Sequence, residues 1–172
     1  MIFSKISIDI IFFARYTNTS IPIDLVRIEM LSKKCEYALR AIFELSTRNA
    51  HTPVRTHEIA KSQGISSRFL EVIFNELRHG GFLESKRGNE GGYYLAKPAG
   101  EISVGEVISY IQGPISVTRG KSEGEHWGDN AFEKLWKQID DAITEILATR
   151  DFSQLVEYEQ TVRDTSTPNY CI

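Results

Sequence analysis

At 172 residues, 41% hydrophobic and 25% charged, the chain has the composition of an ordinary globular protein, with room for one domain and an accessory helix. That argues against a disordered or membrane-embedded class. The net charge of −3 conceals an asymmetry: residues 33–100 carry eleven Lys and Arg against seven Asp and Glu, whereas residues 101–172 carry six against thirteen. A cationic module carried by an acidic one suits a polyanion binder whose second half limits indiscriminate adhesion.

The two cysteines, Cys35 and Cys171, give neither a disulfide framework nor a CxxC knuckle, which fits a reducing, cytoplasmic setting. The apolar run over residues 8–14 contains Asp9, lies between Lys5 and Arg15, and is too short to span a bilayer. It also makes a poor signal peptide. Residues 1–29 do not share the design of the rest of the chain. Met30 is the sole internal methionine and a strong helical pattern begins just after it, so Met30 is the expected natural start and 1–29 an N-terminal extension. The competing reading is a genuine extension that packs its Ile and Phe residues on the domain.

From Ser32 to Arg48, Ala38, Ala41, Ile42 and Leu45 fall on one helical face, with Ser32 as N-cap. Thr56 is expected to cap a short helix over 57–63 that ends at Gly64, and Ser66 to cap a third over 67–79. Ala60 is small where the two helices cross, Ile65 plugs the angle, and Leu70, Ile73, Phe74 and Leu77 face the core. Gly80-Gly81 stops the third helix, and residues 82–86 and 93–96 read as two strands around a Gly-rich turn. Helix, tight turn, helix and hairpin make a winged helix-turn-helix over residues 30–98.

Ser103 and Glu106 form a capping box ahead of Val107, Ile108 and Ile111, and Gly113-Pro114 ends that helix. Residues 99–128 therefore read as a helix and an effector-type loop, in which His126 and Trp127 are candidate ligand contacts. From Asn130 to Thr149, Phe132, Leu135, Trp136, Ile139, Ala142, Ile143, Ile146 and Leu147 form a broad apolar stripe. A helix ~30 Å long needs a partner of similar length. A second copy of itself is the economical one, so 129–160 is read as a dimerisation region, with Phe132, Leu135, Trp136, Ile139, Ile143 and Ile146 at the contact. Folding of the stripe back on its own domain is the alternative. Residues 152–158 are expected to add a short helical turn, and 161–172 to form a flexible tail. The expected class is mostly α with a small β wing.

The residues left outward on the third helix are candidates to read DNA: Ser66, Ser67, Arg68, Phe69, Glu71 and, at the margin, Val72. Serine hydroxyls suit phosphate or base edges, Arg68 forks onto guanine or phosphate, Phe69 suits a thymine methyl, and Glu71 accepts from cytosine or orients Arg68. Thr56 joins them at the start of the preceding helix. In the wing, Lys86, Arg87, Gly88, Gly91, Gly92 and Tyr93 are candidates, because a slim hairpin lets Arg87 approach a narrow minor groove. No catalytic constellation or metal spacing stands out, and the expectation is a non-enzyme without cofactor or metal. Cys35 is the thiol on which redox control could rest, against a buried, inert one.

At Cys35-Glu-Tyr-Ala-Leu-Arg-Ala, Glu58-Ile-Ala, Gln63-Gly-Ile-Ser, Phe69-Leu-Glu, Arg87-Gly, Gly91-Gly-Tyr, Leu95-Ala-Lys-Pro and Glu101-Ile-Ser-Val, the sequence resembles a known family of winged-helix regulators. Its members include the iron–sulfur cluster regulator IscR, the nitric-oxide-sensing repressor NsrR and the cysteine-metabolism repressor CymR. The resemblance, over about 30–159, implies a homodimer on a palindromic operator, with the long helix crossing the two-fold axis. It also implies Glu71 and Arg87 as base and minor-groove readers. Several members hold a cluster through three cysteines before the long helix, and residues 113–130 here contain none. Glu36 stands where some members offer a carboxylate ligand, but without thiolates it holds no cluster. In the wing, Asn89-Glu90 replaces the family's usual Pro-Gly.

The sequence thus predicts a dimeric, cluster-independent, sequence-specific DNA-binding regulator, a repressor, with double-stranded DNA and itself as partners and no membrane. The alternative is a winged-helix protein-interaction module regulated by a partner protein.

Overall fold

The computed structural model describes residues 30–48, 52–88, 91–117 and 129–166, and from Leu31 onward these belong to one compact unit. Helix α1 (Lys33–Ser46) starts where the Ser32 hydroxyl accepts from the Cys35 N–H at 3.2 Å. It buries Cys35, Ala38, Ala41, Ile42 and Leu45, the periodic face expected of it. Helices α2 (Thr56–Gln63) and α3 (Ser67–His79) come next, and the hairpin pairs β1 (Leu83–Lys86) with β2 (Gly92–Leu95) antiparallel, Lys86 opposite Gly92. Val54 adds a one-residue bridge to Tyr93, so the wing is rooted in the segment that leads into α2.

A 3-10 turn (Ala99–Glu101) leads to α4 (Val104–Gln112), which carries the full Ser103/Glu106 capping box. Then come α5 (Asp129–Thr149) and α6 (Phe152–Ser166). The core gathers α1, α3, α4, the root of the wing and Phe152 around Ile42, Leu70, Phe74, Leu77, Ile102 and Val107. The architecture is mostly α with a two-stranded wing, as expected.

Three expectations are corrected. Thr56 is not the cap of α2 but its first residue, because the extended backbone that pairs Val54 with Tyr93 runs on to Arg55, which takes the N-cap position with no side-chain capping bond to the helix. Ser66 holds the N-cap position of α3, yet its hydroxyl makes no capping bond. The short helical turn expected over 152–158 is a fifteen-residue helix, so residues 161–166 are helical rather than a flexible tail. The local cause is Asp151, whose Oδ1 accepts from the Gln154 N–H at 2.9 Å, together with burial of Phe152. Residues 167–172, with Cys171, lie outside the described residues.

The junction between α5 and α6 is stitched to the domain by main chain. The Val104 N–H donates to the Arg150 carbonyl at 2.8 Å and the Phe152 N–H to Ile102 at 3.2 Å. Nearer its middle, Asp140 of α5 accepts from the Val117 N–H at 2.7 Å and from the Ser116 hydroxyl at 2.8 Å. A Cβ on Gly105 would lie 3.1 Å from the Leu147 backbone, so this glycine is what lets α4 and α5 approach closely. The long helix is therefore fixed to the body near Asp140, Leu147 and Arg150.

Candidate nucleic-acid interface

Gly64 ends α2 in the left-handed region (φ 65°, ψ 32°), a conformation costly for any residue with a Cβ, and Ile65 donates to the Ala60 carbonyl at 2.9 Å. Ile65 and Ala60 are buried at that corner, so the angle between α2 and α3 is set by packing as well as by the turn. Glu44 of α1 secures the same corner, accepting from Gln63 Nε2 at 2.9 Å, Ser62 Oγ at 3.1 Å and Arg48 Nη2 at 2.6 Å. A second tie, Lys34 to Glu76 at 2.6 Å, joins α1 to the far half of α3.

Helix α3 so held buries Leu70, Ile73, Phe74 and Leu77 and turns Ser67, Arg68, Phe69, Glu71 and Val72 outward. Arg68 and Glu71 are not paired with each other, and neither has a hydrogen bond or ion pair among the described residues. Phe69 is exposed but not loose: its ring meets Tyr37 of α1 edge-on, centroids 5.9 Å apart at 79°. Thr56 is half-buried at the start of α2, and Ser66 is exposed.

The wing places Lys86, Arg87 and Gly88 together at its exposed tip. Gly88 has φ 109°, and its carbonyl accepts from the Gly91 N–H at 2.9 Å, which closes the turn. Asn89 and Glu90 lie outside the described residues. Gly92 is needed for a different reason: a Cβ there would come within 2.6 Å of the Val54 carbonyl carbon. Tyr93, the last of the wing candidates, is half-buried. Its ring packs on Phe74, centroids 4.7 Å apart, so it braces the wing against α3.

The remaining sequence candidates divide. Burial leaves Cys35 no exposed surface and pushes its thiol up to about 11, far from the reactive thiolate that a redox switch needs. Glu36 is engaged by Lys33 at 2.8 Å and Arg40 at 2.7 Å, with the Lys33 hydrogen bond foremost in holding its carboxyl below the usual range. No group of three His, Cys, Asp or Glu among the described residues is arranged to hold a metal ion. His126 and Trp127 lie outside the described residues.

On α5, Phe132 (58% exposed), Leu135, Trp136 and Ile146 (59%) are open, and Phe132 and Trp136 stack at 6.3 Å. Ile139 and Ile143 of the same stripe are half-buried. Sequence reasoning assigned no role to Tyr37, Glu44, Asp140 or Gly105. Only the Glu44 to Arg48 spacing offered a signal, since the other contacts join residues distant in the chain.

A family model described as Rrf2, iron-dependent transcriptional regulator, matches residues 31–158. The HTH-type transcriptional regulator IscR of Cronobacter sakazakii is 37% identical over 138 residues, which is 79% of this chain and 85% of that protein. IscR of Citrobacter koseri is 37% identical over 138 residues, 79% of this chain and 84% of that one. Among solved structures, CymR, the global cysteine regulator of Bacillus subtilis, superposes with a TM-score of 0.67 at 31% identity, over 74% of this chain and 96% of its own. IscR of T. potens gives 0.63 at 26% identity, over 81% and 93%.

Proposed function

The chain belongs to the Rrf2 family of DNA-binding transcriptional regulators, and from that premise we propose that it is a homodimeric repressor that reads a palindromic operator without an iron–sulfur cluster. One observation carries this reading: α1 holds α3 at both halves, by Tyr37 against Phe69 and by Lys34 to Glu76, yet Arg68 and Glu71 on its outward side, and Lys86 and Arg87 on the adjoining wing, have no partner among the described residues. Charged side chains held beside one another and left unpaired suit a charged, polar ligand surface such as DNA.

In the proposed complex, the first turns of α3 enter the major groove, with Ser66, Ser67, Arg68, Phe69 and Glu71 at base and phosphate edges. Thr56 supports them from α2, and Arg87 reaches the minor groove from the wing. The open stripe of α5 meets its own copy across a two-fold axis. Because α5 is fixed to the body near Leu147 and Arg150, that axis also fixes the spacing of the two reading heads. A bound dimer of this kind represses by occupying promoter DNA, and the reading places it in the cytoplasm with the chromosome. Among the described residues, no helix is long and apolar enough to cross a membrane.

Cluster independence rests on the donor set. A cluster requires thiolates, residues 113–130 contain no cysteine, Cys35 is buried, and the Glu36 carboxylate already serves two cations. The residues present do not fit the group. Selection of bound fragments from genomic DNA, followed by mobility-shift titration of the purified protein, tests the reading. A palindromic site enriched from protein lacking iron is expected, and no enrichment of any sequence would overturn it. The acidic balance of residues 101–172, thirteen against six, favours a second reading in which a basic protein partner docks on this half and controls the regulator.

A further inference from the structure

Val72 occupies the outward face of α3 where a solvent-exposed helix would ordinarily carry a polar residue. At 100° per residue it lies one turn beyond Arg68, opposite the stripe of Leu70, Ile73, Phe74 and Leu77. It is 55% exposed. A β-branched residue adds little to helix stability, and Val72 is not one of the residues that make the buried core. Phe69, 38% exposed and three residues earlier, adds a second apolar surface on the neighbouring row, and Tyr37 holds its ring edge-on from α1. Around the helix the order is Glu71, Arg68, Val72, Phe69, so the outward face is charged on one side and apolar on the other.

A base-pair edge in the major groove offers one apolar group, the 5-methyl of thymine. Resting on the proposed reading of DNA, we propose that Val72 and Phe69 form an apolar edge that selects thymine methyl groups within each half-site, with Tyr37 as the positioning residue that keeps the Phe69 ring in register. Arg68 and Glu71, both on the Val72 side of this edge, then read or position the neighbouring base pairs. The operator is expected to place thymine, on either strand, at the positions that face Val72 and Phe69.

The test replaces each thymine of the selected operator by deoxyuridine, one at a time, which removes the methyl and leaves every hydrogen-bonding group in place. Wild-type protein should lose affinity about fourfold at one or two positions per half-site and be indifferent elsewhere. Val72→Ala should erase the penalty at one position while binding the unmodified operator only a few-fold more weakly. Tyr37→Ala should shrink the penalty assigned to Phe69 and Tyr37→Phe should retain it, whereas a merely structural role would weaken thymine and uracil operators alike. An operator bound tightly, with every uracil substitution silent, would overturn the thymine assignment while leaving DNA binding intact, and would turn the patch into a surface for an apolar protein side chain. A penalty that persists in Val72→Ala and Phe69→Ala would equally remove these residues from the reading. Failure to enrich any DNA would remove the underlying reading and this one with it.

Discussion

Glu44 and Gln63 are nineteen residues apart in the chain and 2.9 Å apart across the corner of the helix-turn-helix. The Glu44 carboxylate thereby fixes the last residue of α2 to α1 immediately before the left-handed turn at Gly64. Burial pushes this carboxyl up, but hydrogen bonds from Arg48, Gln63 and Ser62, with the Arg48 charge, outweigh it and hold the group below its ordinary value. A carboxyl depressed in the folded state stabilises above its unfolded value and loses that contribution as pH falls through the folded one. Glu44→Gln should therefore cost about 1–2 kcal/mol near neutrality and flatten the acid side of the stability profile. Urea unfolding between pH 7 and 3 checks this; parallel profiles for wild type and variant would remove the role.

Gly92→Ala is expected to detach the wing. Its Cβ would meet the Val54 carbonyl carbon at 2.6 Å, and the partner is backbone, which has little room to yield. The bridge between Val54 and Tyr93 should open at a cost of about 1–3 kcal/mol. Operator affinity should fall with the melting temperature. A variant with unchanged melting and binding would show that the wing root tolerates the shift.

Arg68→Ala and Arg87→Ala separate helix from wing. Both side chains are exposed and without partners among the described residues, so neither change should lower the melting temperature by more than a degree or two. Operator binding should weaken by about 1–3 kcal/mol wherever a bidentate contact is lost. The salt slope decides the kind of contact: a phosphate lost reduces it by about one per site, a base contact leaves it nearly unchanged. Unchanged affinity in both variants would relocate the reading surface.

What was legible in the sequence was local. The buried faces of α1 and α3, the glycine turn at Gly64 and the capping box at Ser103 and Glu106 depend on residues within a turn or two of one another, so periodicity and spacing expose them. What was missed depends on residues distant in the chain. Thr56 looks like a cap until Val54 pairs with Tyr93, and the packing of Tyr93 on Phe74 joins residues nineteen apart that no local spacing links. Helix α6 was underestimated because its polar composition hides a start made by Asp151 and by one buried aromatic, Phe152.

Cys35 should resist thiol reagents for as long as the protein stays folded. With its thiol pushed to about 11, the thiolate is a fraction on the order of 0.0001 at neutral pH. In a Cys171→Ser background, labelling should follow global unfolding, accelerate in urea and be slow in buffer. Because the folded value lies above the unfolded one, this contribution to stability is present below about pH 8.5 and is lost as pH rises towards 11. Rapid labelling of the native protein would contradict this and restore Cys35 as a redox candidate.

The stripe on α5 gives the most direct test of assembly. Phe132 and Ile146 are more than half exposed near opposite ends of a helix ~30 Å long, and Phe132 stacks on Trp136. Phe132→Glu combined with Trp136→Glu places like charges against each other across a two-fold axis while leaving the buried core untouched. Sedimentation should give dimer mass for wild type and monomer mass for the double variant, with equal circular dichroism. Linking two half-site contacts raises avidity by about 100- to 10,000-fold when geometry permits. The variant should therefore bind the palindrome scarcely better than an isolated half-site, whereas wild type prefers the palindrome strongly. Dimer mass retained by the double variant would move the interface away from this face of α5, and palindrome preference retained by a monomer would separate DNA cooperativity from the stripe altogether.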